Sequence, residues 1–152
     1  MKLFAPAALL LAIGVAPSPA AAQAEVPYWA SLTADTVNMR VGPARDYKIA
    51  WVYKRKLLPV KVLRLHEGWR MVEDPDGARG WILSRFLSRK RGAIVTGGVA
   101  EMRDKPGGRL LWRVEPGVVG EVGECRDGWC RLDARGHAGW IRESAIWGEG
   151  KP

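Results

Sequence analysis

The amino-acid sequence contains the same pattern twice, with matched positions about sixty residues apart. Three short motifs recur in the same order: VNMR at 37–40 as AEMR at 100–103, EGW at 67–69 as DGW at 127–129, and GWI at 80–82 as GWI at 139–141. Their separations are 63, 60 and 59 residues. Ordered self-similarity of this kind indicates duplicated structural units, so the chain is predicted to contain two copies of one small domain.

Each copy has the composition of short strands joined by tight turns. The chain has 18 Gly and 10 Pro, and it lacks long apolar stripes of helical period. Strands are predicted in the first copy at 36–40, 48–53, 60–65, 69–73 and 80–83, with turns at 66–68 and 75–77. Five short strands in about 55 residues suit a small, strongly bent barrel. The predicted fold class is therefore all-β, with domains at 33–89 and 93–148.

The first residues have the features of a secretion signal. Lys2 supplies a positive start, residues 3–15 are mainly apolar, and AQA at 22–24 fits the pattern of a cleavage site before Glu25. The apolar run is too short for a transmembrane helix, which needs roughly 20 residues, and three prolines argue against a buried helix. Residues 1–24 are predicted to be a cleaved signal peptide, so the mature protein is expected to be periplasmic or secreted, without a transmembrane segment.

The repeated motifs resemble those of the bacterial SH3-like (SH3b) family. The family pattern begins near N-x-R-x-G-P, continues with G-W-x-x-V and ends with G-W-[IV]-x-x-x-[YF]-L. The first copy has all three, as NMRVGP at 38–43, GWRMV at 68–72 and GWILSRFL at 80–87. The second copy has Lys105 in place of the family's Gly and Ala145 in place of its aromatic residue. The resemblance implies two tandem SH3-like β-barrels after the signal peptide.

Four Gly-Trp positions have different expected roles. Trp81 and Trp140 begin a strand, and each is expected to close one end of a barrel core. The resemblance leaves both core packing and groove lining open for Trp69 and Trp129, because a Trp at the comparable position of eukaryotic SH3 domains lines a proline-peptide groove. Phe86 matches the Tyr of that groove. This chain has Leu in place of that pattern's Pro, so binding of proline-rich ligands does not carry over.

The net charge of the mature chain lies in its first half. Residues 25–91 contain 14 Lys or Arg against 7 Asp or Glu, a net of +7, whereas residues 92–152 contain 9 of each. Such an asymmetry between two copies of one fold indicates that the cations are not a requirement of the barrel. It suggests an anionic partner for the first copy.

A run of three cations, Lys54, Arg55 and Lys56, is the most concentrated part of this charge. The second copy has EPG at the same place, 115–117. The run is either a solvated turn or part of an anion-binding face, with Arg85 as a supporting cation.

Cys125 and Cys130 lie on opposite arms of a predicted hairpin, on either side of RDGW. Facing residues of an antiparallel pair are about 4.5–5.5 Å apart at Cα, which is inside or beside the usual disulfide range. Because an exported protein meets oxidising conditions, a disulfide is predicted. The equivalent positions of the first copy are Leu65 and Arg70, so the bridge is an addition to one domain.

An enzymatic function is not expected. A Cys nucleophile with His137 as its base would be the sharpest catalytic hypothesis, because SH3-like modules often accompany cell-wall peptidases. A disulfide-bonded Cys cannot attack a substrate, and a separate catalytic domain would need roughly 100 residues or more. Two His and two Cys at these spacings do not make a zinc site. No cofactor or metal is therefore predicted.

The favoured function is binding at the cell envelope, with peptidoglycan or another anionic wall component as the ligand. The alternative is an adaptor that binds a peptide segment of another envelope protein. Nucleic-acid binding is disfavoured, because export removes the protein from nucleic acid. The candidate ligand-binding residues are Trp69, Phe86, Lys54, Arg55, Lys56 and Arg85.

Overall fold

The computed structural model describes residues 25–150, so the predicted signal peptide at 1–24 lies outside the described residues. The chain forms two antiparallel sheets of seven strands, and none of the described strands pairs between them. The first sheet contains β1 (Tyr28–Leu32), β2 (Val37–Arg40), β3 (Ile49–Tyr53), β4 (Pro59–His66), β5 (Trp69–Glu73), β6 (Arg79–Leu83) and β7 (Leu87–Ser88). The second contains β8 (Gly92–Val95), β9 (Ala100–Arg103), β10 (Leu110–Val114), β11 (Val119–Arg126), β12 (Trp129–Ala134), β13 (His137–Arg142) and β14 (Ile146–Trp147). The predicted all-β fold class, with one small barrel from each copy of the repeat, is confirmed.

The two sheets have the same topology. The strand order is β3-β2-β6-β5-β4-β1-β7 in the first and β10-β9-β13-β12-β11-β8-β14 in the second. The five strands predicted for the first copy correspond to β2–β6, but the prediction missed β1 and β7. These two pair with each other, Ser31 with Ser88 and Leu32 with Leu87. Their partners lie far away along the chain, so no local turn signal indicates them.

Each barrel encloses its own apolar core. Alternate residues of β4, β5 and β6 point inward, and Val60, Val62, Val72 and Ile82 are fully buried. In the second barrel, Leu132 and Ile141 have the same role. The expectation that Trp81 packs in the core is wrong, because Ile82 occupies the inward position next to it.

The outer Trp side chains are covered by polar neighbours. Trp81 is half-buried, and its ring lies edge-on to His66 at 6.0 Å between centroids. Trp140 is buried, with the guanidinium of Arg126 4.8 Å from its ring. Neither Trp belongs to the apolar core cluster of its barrel.

The disulfide between Cys125 and Cys130 is confirmed, with the two residues paired across β11 and β12. Cys130 is fully buried in the second core, and Cys125 packs against that core from its edge. Leu65 and Arg70 pair in the same way across β4 and β5. The bridge therefore links positions that the fold already holds opposite each other in both barrels.

The two barrels pack directly against each other. Trp29 of β1 contacts Trp147 of β14, with ring centroids 4.4 Å apart. Ile94 and Val119 of the second barrel pack against the first core. The connection is short, since only residues 89–91 separate β7 from β8. A Cβ at Gly92 would meet a backbone oxygen of the first barrel at 2.2 Å, so this approach requires glycine.

Candidate ligand-binding surfaces

The structure separates the predicted binding residues into two groups. Lys54, Arg55 and Lys56 follow β3 and lie in the loop before β4, where they line a cleft between the barrels. Trp69, Phe86 and Arg85 are not part of this cleft lining. The first group thus faces a concave surface, whereas the second lies on the first barrel alone.

The cleft between the barrels has a volume of about 1100 Å³. One wall comes from the first barrel and includes the loop 54–57 and the segment 31–33. The other wall comes from the second barrel, through residues 116–120 and 133–135. Ser88 and Lys90, at the connection, also line it. The cleft is therefore built from loops and strand ends of both copies.

The lining of the cleft is strongly basic. Its cationic residues are Lys54, Arg55, Lys56, Lys90 and Arg135, and its acidic residues are Asp35 and Asp133. Five cations against two carboxylates give a net charge of +3. A concave site with one dominant sign of charge concentrates the electrostatic potential and raises the local concentration of counter-ions.

Some of these charges already have partners. Arg55 donates to the backbone oxygen of Gly117, across the cleft. Lys90 pairs with Glu121 at 2.7 Å, where both side chains are about half exposed. Across residues 25–150, no carboxylate forms an ion pair with Lys54, Lys56 or Arg135. Three cations are therefore available to a ligand.

Arg135 is the second barrel's cation in this cleft, and it is not among the residues predicted from the sequence. It lies in the turn between β12 and β13 with φ of 57°, followed by Gly136 with φ of 86°. Such paired positive φ values favour Asn, Asp or Gly at the first position. The corresponding turn of the first copy contains Asp76. This reversal of charge between equivalent turns is the sequence feature that could have indicated Arg135 as a binding residue.

The remaining predicted residues pack on the first barrel. Trp69 is 8% exposed. Phe86 packs against the first core, with the guanidinium of Arg85 4.8 Å from its ring. The backbone N–H of Thr33 donates to the backbone oxygen of Phe86 at 3.0 Å. Phe86 therefore contributes to packing between the core and the segment that follows β1.

The second barrel has a pocket where the first has Phe86. Ala145 is the equivalent residue, and its small side chain lines a pocket of about 520 Å³ that also includes Trp129. The guanidinium of Arg142 lies 4.2 Å from the Trp129 ring. Glu101 and Arg103 form an ion pair at the rim. The pocket thus has the edge of a buried aromatic ring and charges of both signs in its lining.

The first barrel contains a buried polar pair, formed by Tyr53 at the end of β3 and Asp74 in the turn after β5. The hydroxyl of Tyr53 donates to Oδ2 of Asp74 at 2.9 Å, and Oδ1 of Asp74 accepts from the backbone N–H groups of Asp76 and Ala78. Burial raises the pKa of Tyr53 well above its ordinary value, and the bond to Asp74 adds to this shift. The pair fixes the turn between β5 and β6 and is not open to a ligand.

The sequence matches the family described as Bacterial SH3 domain over residues 33–89 and again over 97–148. Among solved structures, the chain is similar to NlpC2 from Trichomonas vaginalis, at 17% identity and a TM-score of 0.37, over 82% of this chain and 49% of that one. It is similar to an NlpC/P60 family protein from Bacillus cereus ATCC 10987, at 12% identity and a TM-score of 0.36, over 79% and 56%. It is also similar to the endolysin LysPBC5 CBD, at 20% identity and a TM-score of 0.32, over 83% and 96%. The chain spans about half the length of the first two structures. No curated protein matches it.

Proposed function

We propose that this chain, which belongs to the bacterial SH3 domain family, is an exported, non-catalytic binding protein that acts at the cell envelope. Its ligand is peptidoglycan or another anionic wall component. The family match confirms the resemblance found in the sequence, and it covers both copies. The basic charge of the cleft supports an anionic wall ligand.

The observation that carries the proposal is the set of unpaired cations in the cleft between the barrels. Lys54 and Lys56 are exposed and have no ion-pair partner within residues 25–150. Peptidoglycan stems carry carboxylates, and envelope lipids carry phosphates. An exposed cation contributes modestly by itself, so a ligand with several negative charges gains most from this arrangement.

Two features support export and a non-catalytic role. The disulfide suits an oxidising compartment and agrees with the predicted signal peptide. Because Cys125 and Cys130 are bonded, neither supplies a thiolate nucleophile. Within residues 25–150, no helix has the length and apolar character needed to cross a membrane.

Retention on purified, protein-free sacculi tests the proposal. The mature protein should co-sediment with sacculi, and the triple variant Lys54→Gln, Arg55→Gln, Lys56→Gln should be retained at least several-fold less. A matched control removes three exposed cations elsewhere on the first barrel, through Arg45→Gln, Lys48→Gln and Arg64→Gln. Equal loss in both variants would mean that only total charge matters. No retention of the wild type would overturn the proposal.

A second candidate function is an adaptor that binds a peptide segment of another envelope protein. The pocket beside Trp129 favours it, because a concave site lined by Glu101, Arg103 and Arg142 suits a peptide of mixed charge. On this hypothesis, Ala145→Phe fills the pocket and removes a co-purifying envelope protein. The triple cation variant keeps that partner, and the wild type is not retained on bare sacculi.

A further inference from the structure

We propose that the cleft between the barrels is a single composite anion site to which both barrels contribute, and that it takes a polyanion bearing phosphate or carboxylate groups. The biological ligand of this site rests on the proposed function, whereas the arrangement of its cations does not depend on that function. It differs from an anion-binding face on the first barrel alone, because Arg135 of the second barrel becomes part of the site. Neither barrel would then bind as well without the other.

The cations of the cleft come from three separate parts of the chain. Lys54 and Lys56 lie on the loop after β3, Lys90 lies on the connection, and Arg135 lies on the turn between β12 and β13. The last of these is about eighty residues from the first in sequence. Packing of the barrels brings them to one concave surface, and the described carboxylates leave most of them unpaired.

The duplicated fold supplies an internal control for these positions. The loop that carries Lys54–Lys56 in the first barrel contains Glu115, Pro116 and Gly117 in the second. The turn that carries Arg135 in the second barrel contains Asp76 in the first. In both cases the other barrel forms with an acidic residue in the equivalent loop. The fold therefore does not require a cation at either place, although the cleft has one at both.

Several close contacts between the barrels hold the two walls of the cleft next to each other. Arg55 reaches across to the backbone of Gly117. A Cβ at Gly92 would lie 2.2 Å from the oxygen of Leu57, and one at Gly148 would lie 2.5 Å from Pro59. The hydroxyl of Ser31 donates to the oxygen of Lys90 at 2.7 Å. These contacts hold the two walls together in the absence of a ligand, so binding does not have to bring the barrels together.

A polyanion fits this site better than a single small anion. The unpaired cations are exposed, so each contributes little alone, and several must act together. A ligand with many negative charges releases counter-ions when it binds, so its affinity falls steeply with salt. Inorganic polyphosphate and poly-L-glutamate are defined probes for the two ligand chemistries.

Calorimetric titration of the mature protein with each probe tests the composite site. Arg135→Asn removes the cation of the second barrel, and Asn tolerates the left-handed backbone at this position. It should weaken binding about twofold to fivefold, and the pair Lys54→Gln, Lys56→Gln about tenfold. The control Arg113→Gln removes an exposed cation of the same barrel outside the cleft and should change binding less than twofold.

Unchanged binding by Arg135→Asn, with loss in the Lys54 and Lys56 pair, would overturn the composite site in favour of the first barrel alone. Unchanged binding by all cleft variants would overturn the cleft itself. Thermal unfolding of each variant should stay near that of the wild type, which excludes loss of the fold as the cause.

Sacculi identify the source of the anion and separate this inference from the proposed function. Hydrofluoric acid removes phosphodiester-linked polymers from sacculi, so retention lost after this treatment supports a phosphate polymer. Retention that persists after this treatment, and that Arg135→Asn still reduces, supports carboxylates of the peptide stems. If both probes bind through the cleft but untreated sacculi do not retain the protein, the wall function fails while the composite site stands. If untreated sacculi retain the wild type and Arg135→Asn equally, the composite site fails while the wall function stands.

Discussion

Reduction of the Cys125–Cys130 bridge should destabilise the second barrel and leave the first unchanged. The bridge closes a loop of about six residues, for which loop-closure entropy gives about 2 kcal/mol. The equivalent hairpin of the first barrel has Leu65 and Arg70 and no bridge. The molecule therefore contains its own control, because the same reducing agent acts on only one of two similar hairpins.

Hydrogen exchange measured by mass spectrometry can follow the two barrels separately. A loss of about 2 kcal/mol in the free energy of opening the second barrel makes amides that exchange by this opening exchange about thirtyfold faster. Amides of β12, such as that of Leu132, should show this acceleration. Amides of β5, such as that of Val72, should keep their rates. The variant Cys125→Ala, Cys130→Ala should not respond to reductant, although it also loses packing because Cys130 is fully buried. Unchanged exchange in β12 upon reduction, or equal acceleration in both barrels, would show that the bridge does not stabilise the second barrel in particular.

Two further changes probe the barrel interface and the buried polar pair. Gly92→Ala should lower the free energy of unfolding by about 1–3 kcal/mol, because the added Cβ meets the backbone oxygen of Leu57. Thermal unfolding should show a lower midpoint for this variant, whereas the control Gly98→Ala, which has open space around it, should unfold near the wild-type midpoint. Tyr53→Phe should cost about 1–3 kcal/mol by leaving buried Asp74 without its hydroxyl partner. Because the raised pKa of Tyr53 keeps the folded phenol protonated, stability should fall as pH rises above about 10, and urea unfolding should show a smaller fall in the variant.

The duplication and the central strands of each barrel follow from local sequence. Trp69–Glu73 is a strand with the bounds that its alternation and flanking turns predict. The pairing of Cys125 with Cys130 follows from a hairpin that DGW marks. These features depend on residues within one hairpin, where spacing alone determines which positions face each other.

The features that sequence reasoning missed depend on contacts between distant segments. Strand β1 pairs with β4 and β7, and no turn signal next to it in the sequence predicts this strand. The position of Trp81 depends on which face of β6 turns inward, and Ile82 takes that face. Arg135 joins the Lys54 loop only because the barrels pack against each other. Charge counts along the chain indicated a basic first half, but they do not reveal which loops meet across an interface.

Binding of the mature wild-type protein to protein-free sacculi, measured as salt is raised, shows whether the protein recognises an anionic wall component through its exposed cations. The Debye length falls from about 10 Å at 0.1 M to about 3 Å at 1 M, so recognition of an anionic wall component by exposed cations weakens over this range. The protein should be retained at low salt and largely released at high salt. Absence of retention at low salt, or retention that is the same at both ends, would contradict this prediction.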